Sequence, residues 1–295
     1  MARTRTRLLR AVAAAATPLL APLLLGATSA PRYERRIEAE VDTPVYRLAG
    51  DLPVHAGEQY YRLHWSGFPV ARVKLAMAPD PERGGVGVEI LGATHPVIDW
   101  LWRYRFEGRG LVRTDPFAPG GFVVDECENH KYQRTEIRFG EPDDGVRGIR
   151  LVRGRTKEYV FHSDNTFDIP SSVFLVLNLD YAPGARFALD TFTGKSRYLV
   201  RVEVQGRERV PLAGETYEAW RLRLQTEEIT DDDPEGRHRE TLVWVSSERP
   251  RQLLRASSRT FVGSIQLELL PRDEAPEDAV PAHVTPKGAE HRRCA

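Results

Sequence analysis

From residue 58 to residue 270 apolar and charged residues alternate with a period of two along one short segment after another. The pattern runs through "EQYYRLHW", "PVARVKLAMA", "GVGVEIL", "YRFEGRGLV", "GFVVDE", "NHKYQRTEIRF", "RGIRLVR", "TKEYVF", "RFALDTF", "RYLVRVEVQG", "ETYEAWRLRLQTEEI", "ETLVWVSS", "RQLLRASS" and "FVGSIQLELL". Strict alternation puts one face of each segment in a core and the other in water, which is the mark of half-buried antiparallel strands. Ser66-Gly67-Phe68 between the first two segments reads as a hairpin turn. Two stretches break the rhythm. "HPVIDWLWRY" places Val97, Leu101 and Tyr104 near helical spacing. "DIPSSVFLVLNLDYAPG" begins with Asp168 and Pro170 and stops at Pro183-Gly184, as a short helix crossing an end of the sheet would. The expected fold is all-β: a large, strongly curved antiparallel sheet or open lipocalin-like barrel with one or two short helices.

The ends differ from this middle. Arg3, Arg5, Arg7 and Arg10 precede an uncharged run from Ala11 to Ala30, the pattern of an export signal. Cleavage after Ser29 avoids a proline directly beyond the cut; the alternative is an uncleaved segment that anchors the chain to the inner membrane. The expected organisation is a signal peptide over 1–29, an N-terminal extension over 30–56, one β domain over 57–270 and a flexible polar tail over 271–295. Taking the four leader arginines from 42 basic residues, against 42 acidic ones, leaves a net charge of −4. That balance gives no support to nucleic-acid binding.

The order "YYRLHWSGFPVARVKL", "DIPSSVFLVLNLDYAPG", "ALDTFTGKSRYLVRVEVQGRERVPLAGETYEAWRLRL" and "LVWVSSERPRQLLRASSRTFVGSIQLEL" resembles the bacterial exported domain-of-unknown-function family numbered 3108. The marks are Gly67, Ser171 or Ser172, Gly184, Lys195 within "TGKSR", Gly206, Gly214, the Trp244 to Ser246 strand end, Pro250 and Gly263. The resemblance implies an extracytoplasmic, mostly antiparallel β domain and supplies no catalytic residues.

Candidate chemistry is sparse. Cys127 and His130 lie close in "ECENHKYQRTEIRF", but on one continuous strand they point to opposite faces, so no thiol-imidazole dyad is expected. Cys127 could instead pair with Cys294. His130, Tyr132 and Arg134 then share a polar face with Glu136 and Arg138. If that face is concave, it would line a groove for an amphipathic ligand; otherwise it is a solvated exterior. Trp100 and Trp102 form either an apolar lip or a plug at a barrel end. Asp164, Asn165 and Asp168 lack the glycine and terminal glutamate of a calcium loop, no histidine pair has zinc spacing, and no metal or cofactor is expected. The leading reading is a non-enzymatic periplasmic protein that binds a hydrophobic or amphipathic envelope component, with an envelope lipid, a glycolipid or an envelope protein as partner. A scaffolding role in the envelope and an unrecognised hydrolase are the alternatives.

Overall fold

A computed structural model describes residues 41–48, 52–140, 145–212, 214–230, 239–260, 263–271, 284, 286–287 and 293–294. The proposed leader and the acidic turn at 231–238 lie outside the described residues. One meander comprises β1 (Gly57–Trp65), β2 (Phe68–Asp80), β3 (Gly85–Thr94), β4 (Tyr104–Thr114), β5 (Phe117–Glu128), β6 (Lys131–Phe139), β7 (Val146–Val152) and β8 (Arg155–Phe161). After β9 (Thr166–Phe167) and a helix come β10 (Arg186–Phe192), β11 (Arg197–Leu212), β12 (Glu215–Glu228), β13 (Arg239–Ser246), β14 (Leu253–Thr260) and β15 (Gly263–Leu269). An antiparallel ladder from Tyr61↔Leu269 to Trp65↔Ile265 joins β1 to β15 and fuses the two runs into one sheet. All these ladders are antiparallel except β9 on β10. The alternating pattern is thus realised as a mostly antiparallel sheet with few short helices.

The sheet curves until its ends face each other. No ladder among the described residues joins β8 to β9 or β10, and side chains fill the seam instead. Phe161 of β8 meets Phe192 of β10 edge to face at 4.9 Å, and Arg197 of β11 stacks its guanidinium 4.5 Å over Phe161. The β10–β11 turn presses against β6 and β7: a Cβ on Gly148 would lie 2.2 Å from the Gly194 carbonyl oxygen. The segment 41–48 completes the cover. Tyr46 Oη donates to the Ala188 carbonyl at 2.9 Å and accepts from its N–H at 3.1 Å, satisfying an edge that β11 leaves open.

The concave side holds one contiguous apolar core drawn from both runs, including Tyr61, Ile90, Val124, Ile137, Leu222 and Ile265. Across it lies the expected second helix, α2 (Ile169–Asn178). Asp168 caps its N-terminus by accepting the Ser171 N–H at 2.8 Å. Arg251 donates to the Leu177 and Leu179 carbonyls at its other end, at 3.0 and 2.6 Å. Apolar nearly all round, α2 is buried along almost its whole length, as a helix enclosed by a sheet must be. Beside it Asp190 and Arg197 form an ion pair at 2.6 Å, both almost fully buried.

Two local expectations need correction. The helix begun at His95 is only four residues long, α1 (Pro96–Asp99), because Tyr104 and Phe106 already belong to β4. Residues 129–139 are not one strand: Asn129 and His130, with φ of 46° and 71°, form a two-residue hairpin turn between β5 and β6. The turn reverses the chain, so Cys127 lies opposite Tyr132 on the same face rather than on the other one. Cys127 is disulfide-bonded to Cys294, which ties described parts of the polar tail to the outside of β5 and β6. The Cys294 N–H donates to the His130 carbonyl at 3.2 Å, and the Val284 N–H donates to Glu107 at 3.2 Å.

Candidate functional site

Antiparallel pairing sends the β1–β2, β3–β4, β5–β6 and β7–β8 turns to one rim. At this rim the structure departs from ordinary burial. Trp100 is 92% exposed, Val97 74%, Phe68 72% and Leu101 51%. The His95 N–H donates to the Val70 carbonyl at 2.9 Å, carrying the β2–β3 ladder one step further, so the hairpin bearing Phe68 runs beside α1.

This tip is held firmly. Pro96 opens α1, the Ile98 carbonyl accepts from both Leu101 and Trp102 at 2.8 Å, and the Ile98 side chain packs on the core. Asp99 anchors the short helix to β4. Its carboxyl accepts from Thr94 and from Arg105, with Arg105 Nη1 at 2.9 Å. Burial opposes ionisation of Asp99, but Arg105 and Thr94 outweigh it and hold the carboxyl below its ordinary value. Arg103 and Asn129 exchange bonds at 2.9 Å in both directions, the Asn129 N–H donating to the Arg103 carbonyl and the Arg103 N–H to the Asn129 side chain. Trp100 and Leu101 therefore stand out on a pinned loop, not through local looseness.

Trp102, two residues on, does the opposite. It is 8% exposed, stacks on Tyr104 at 5.3 Å and donates its indole N–H to Glu128 at 3.2 Å. The apolar recess that it shares with Leu63, Val70, Ile98 and Ile265 has a volume of about 10 Å³, room for one water at most. The pair expected to form either a lip or a plug thus divides: Trp100 is lip, Trp102 is core.

The polar ladder is not on the concave side. Thr135 and Ile137 face the core, whereas Tyr132 and Arg134 lie on the outer surface and are both committed to Asp125, with Arg134 Nη1 at 2.9 Å. Tyr132 is further enclosed by the disulfide. Burial and Asp125 push its phenol up to about 12. His130 sits exposed in the β5–β6 turn. Of the sequence-derived residues, Trp100, Trp102 and His130 gather at the rim and the other two do not. Phe68 and Val97 were missed, and Leu101 was read only as a member of the cluster around the two tryptophans. Phe68 was legible as a large apolar residue directly after the Ser66-Gly67 turn, where a polar one is expected.

Other clusters have structural work. Asp168 is a helix cap, and burial lifts its carboxyl to about 6. Asn165 donates to the Thr43 carbonyl at 3.5 Å. No group of three metal-ligating side chains occurs among the described residues. A surface cleft of about 460 Å³ beside Pro44 is lined by Arg186, Glu203 and Arg223, and Glu203 pairs with both arginines. Glu126 lies beneath Tyr104, whose hydroxyl it accepts; desolvation lifts its carboxyl to about 7.

A curved antiparallel sheet with a helix packed across its concave side and an anchored apolar tip at one rim defines the class: a packed-core β protein whose most exposed apolar feature lies outside the sheet. The chain belongs to the protein family of unknown function DUF3108, whose model matches residues 60–270. No curated protein matches it significantly. Among solved structures it is similar to a β-barrel-like protein of the domain of unknown function DUF1849 from Brucella abortus. The two share 11% identity over 74% of this chain and 96% of that one, with a TM-score of 0.50. It is also similar to the hypothetical lipoprotein YmcC from Escherichia coli, at 9% identity over 76% and 86% of the two chains and a TM-score of 0.33. At such identity the first likeness speaks to fold alone.

Proposed function

We propose that this is a non-enzymatic protein of the bacterial cell envelope that binds a hydrophobic or amphipathic envelope component through its rim. The observation that carries the reading is the anchored tip of large apolar side chains held in water: Val97, Trp100 and Leu101 on a tightly bonded loop, and Phe68 at the start of β2 beside it. Contiguous exposed apolar surface marks an interaction site in a soluble protein. The ligand meets the tip from outside, because α2 and the aromatic side chains occupy the concave side. An extracytoplasmic location is supported by the leader-like residues 1–29 and by the Cys127–Cys294 disulfide, which needs an oxidising compartment.

The test is co-sedimentation of the purified protein with membrane vesicles prepared from a bacterial envelope. The double variant Phe68→Ser/Trp100→Ser should remain folded, since both positions are exposed, and should stay in the supernatant while the unaltered protein pellets. Equal pelleting of the two proteins would refute the reading.

A further inference from the structure

The apolar tip stands among cations, and we infer that its partner is an anionic lipid surface, an inference that rests on the rim being the contact face. Arg103 follows the tip directly, Lys131 leaves the β5–β6 turn, and Arg153 and Arg155 flank Gly154 at the β7–β8 turn. On the other side of Phe68, Arg259 lies near the end of β14, whose partner strand supplies the Ser264 carbonyl that accepts the Ser66 N–H at 2.7 Å. Lys131, Arg153, Arg155 and Arg259 are exposed. None of the five enters an ion pair among the described residues. Elsewhere on the outer face several cations do pair, Arg134 with Asp125, Arg138 with Glu136, Arg147 with Glu158 and Arg209 with Glu218, whereas Arg113 and Lys157 enter no ion pair among the described residues.

Of the acids nearest the tip, Asp99 is paired with Arg105, whereas Glu128 accepts from the neutral Trp102 indole and stands opposite Lys131 in the β5–β6 register.

An apolar wedge of indole and aliphatic side chains ringed by unpaired cations on separate turns matches a lipid interface. Indole favours the headgroup level, aliphatic groups enter the acyl boundary, and lysine and arginine meet anionic headgroups. The cations are spread over several turns, as a broad negative surface requires, and do not converge on a single point as they would for one small anion.

The experiment uses the disulfide-bonded protein and vesicles of phosphatidylcholine, alone or mixed with phosphatidylglycerol, with bound protein measured by sedimentation at low and high salt. The unaltered protein should bind the anionic vesicles preferentially and less well as salt rises. Lys131→Gln/Arg153→Gln/Arg155→Gln should weaken that binding by on the order of 100-fold at low salt. Trp100→Ser should weaken binding to both lipids. Melting temperatures of the variants should match that of the unaltered protein, since all four positions are exposed. Equal binding to both vesicles, unaffected by the triple variant but reduced by Trp100→Ser, would overturn the anionic preference and leave the apolar contact standing. Absence of binding to either vesicle would overturn both and point to a protein partner.

Discussion

Replacing Glu126 by glutamine tests how much the buried polar group beneath Tyr104 costs the fold. Desolvation raises its carboxyl from 4.5 to about 7, although the Tyr104 hydroxyl and Arg150 pull the other way. Between these two pH values the folded protein keeps a proton that the unfolded chain has released. The stability tied to that proton is fully present below pH 4.5 and is lost as pH rises through 7. By pH 8 the loss is about 3 kcal/mol, at ~1.4 kcal/mol for each pH unit of separation. Glutamine is nearly isosteric, cannot ionise, and still offers an oxygen to Tyr104. An amide hydrogen left without a partner would displace the variant by a constant at every pH, so the slope isolates the carboxyl. Urea unfolding followed by circular dichroism from pH 4 to pH 8.5 gives the two curves. The difference, Glu126→Gln minus the unaltered protein, should rise by about 3 kcal/mol across that range, and other titrating groups cancel in it, including Asp168. A difference that does not change with pH would refute the buried, proton-holding carboxylate.

Asp190→Asn should destabilise the fold by about 3–5 kcal/mol, because it leaves the buried Arg197 charge without its partner; chemical denaturation measures this. Gly148→Ala should lower the melting temperature sharply, since the new Cβ meets backbone of the β10–β11 turn rather than a side chain that can swing away. Cys294→Ser should cost about 2–4 kcal/mol by freeing the C-terminal segment from β5 and β6, and limited proteolysis should then cut that segment first while the sheet stays intact.

Much of the sheet was legible because period-two alternation survives wherever one face is buried. Each of the fourteen segments quoted from the sequence contributes to a strand from β1 to β15 outside the two-residue β9. The second helix was legible through its Asp168-Ile169-Pro170 start. The β5–β6 hairpin was not, because its turn uses Asn129 and His130 in the left-handed region where a glycine would have signalled it; that hidden turn puts Cys127 on the face of Tyr132 and Arg134, while the alternation read within residues 131–139 stands. The concavity of the sheet was equally hidden. Alternation reveals two faces but not which one curves inward; contacts between distant segments, such as Gly148 with Gly194, decide that. The rim emerged only in part. "DWLWRY" advertised its aromatics, but the Arg105–Asp99 pair that ties α1 to β4, with Trp100 exposed and Trp102 buried beside it, is a tertiary contact.

The most direct measurement of the central claim compares those two tryptophans. Hydroxyl-radical footprinting with mass-spectrometric readout, in the absence and presence of phosphatidylglycerol-containing vesicles, reports the solvent access of each side chain. Trp100 should be oxidised readily in free protein and strongly protected by vesicles, together with Phe68 and Leu101, while Trp102 stays slow under both conditions. Unchanged oxidation of Trp100 on vesicle-bound protein, with protection falling on residues of the concave side, would contradict a contact made by the outer rim.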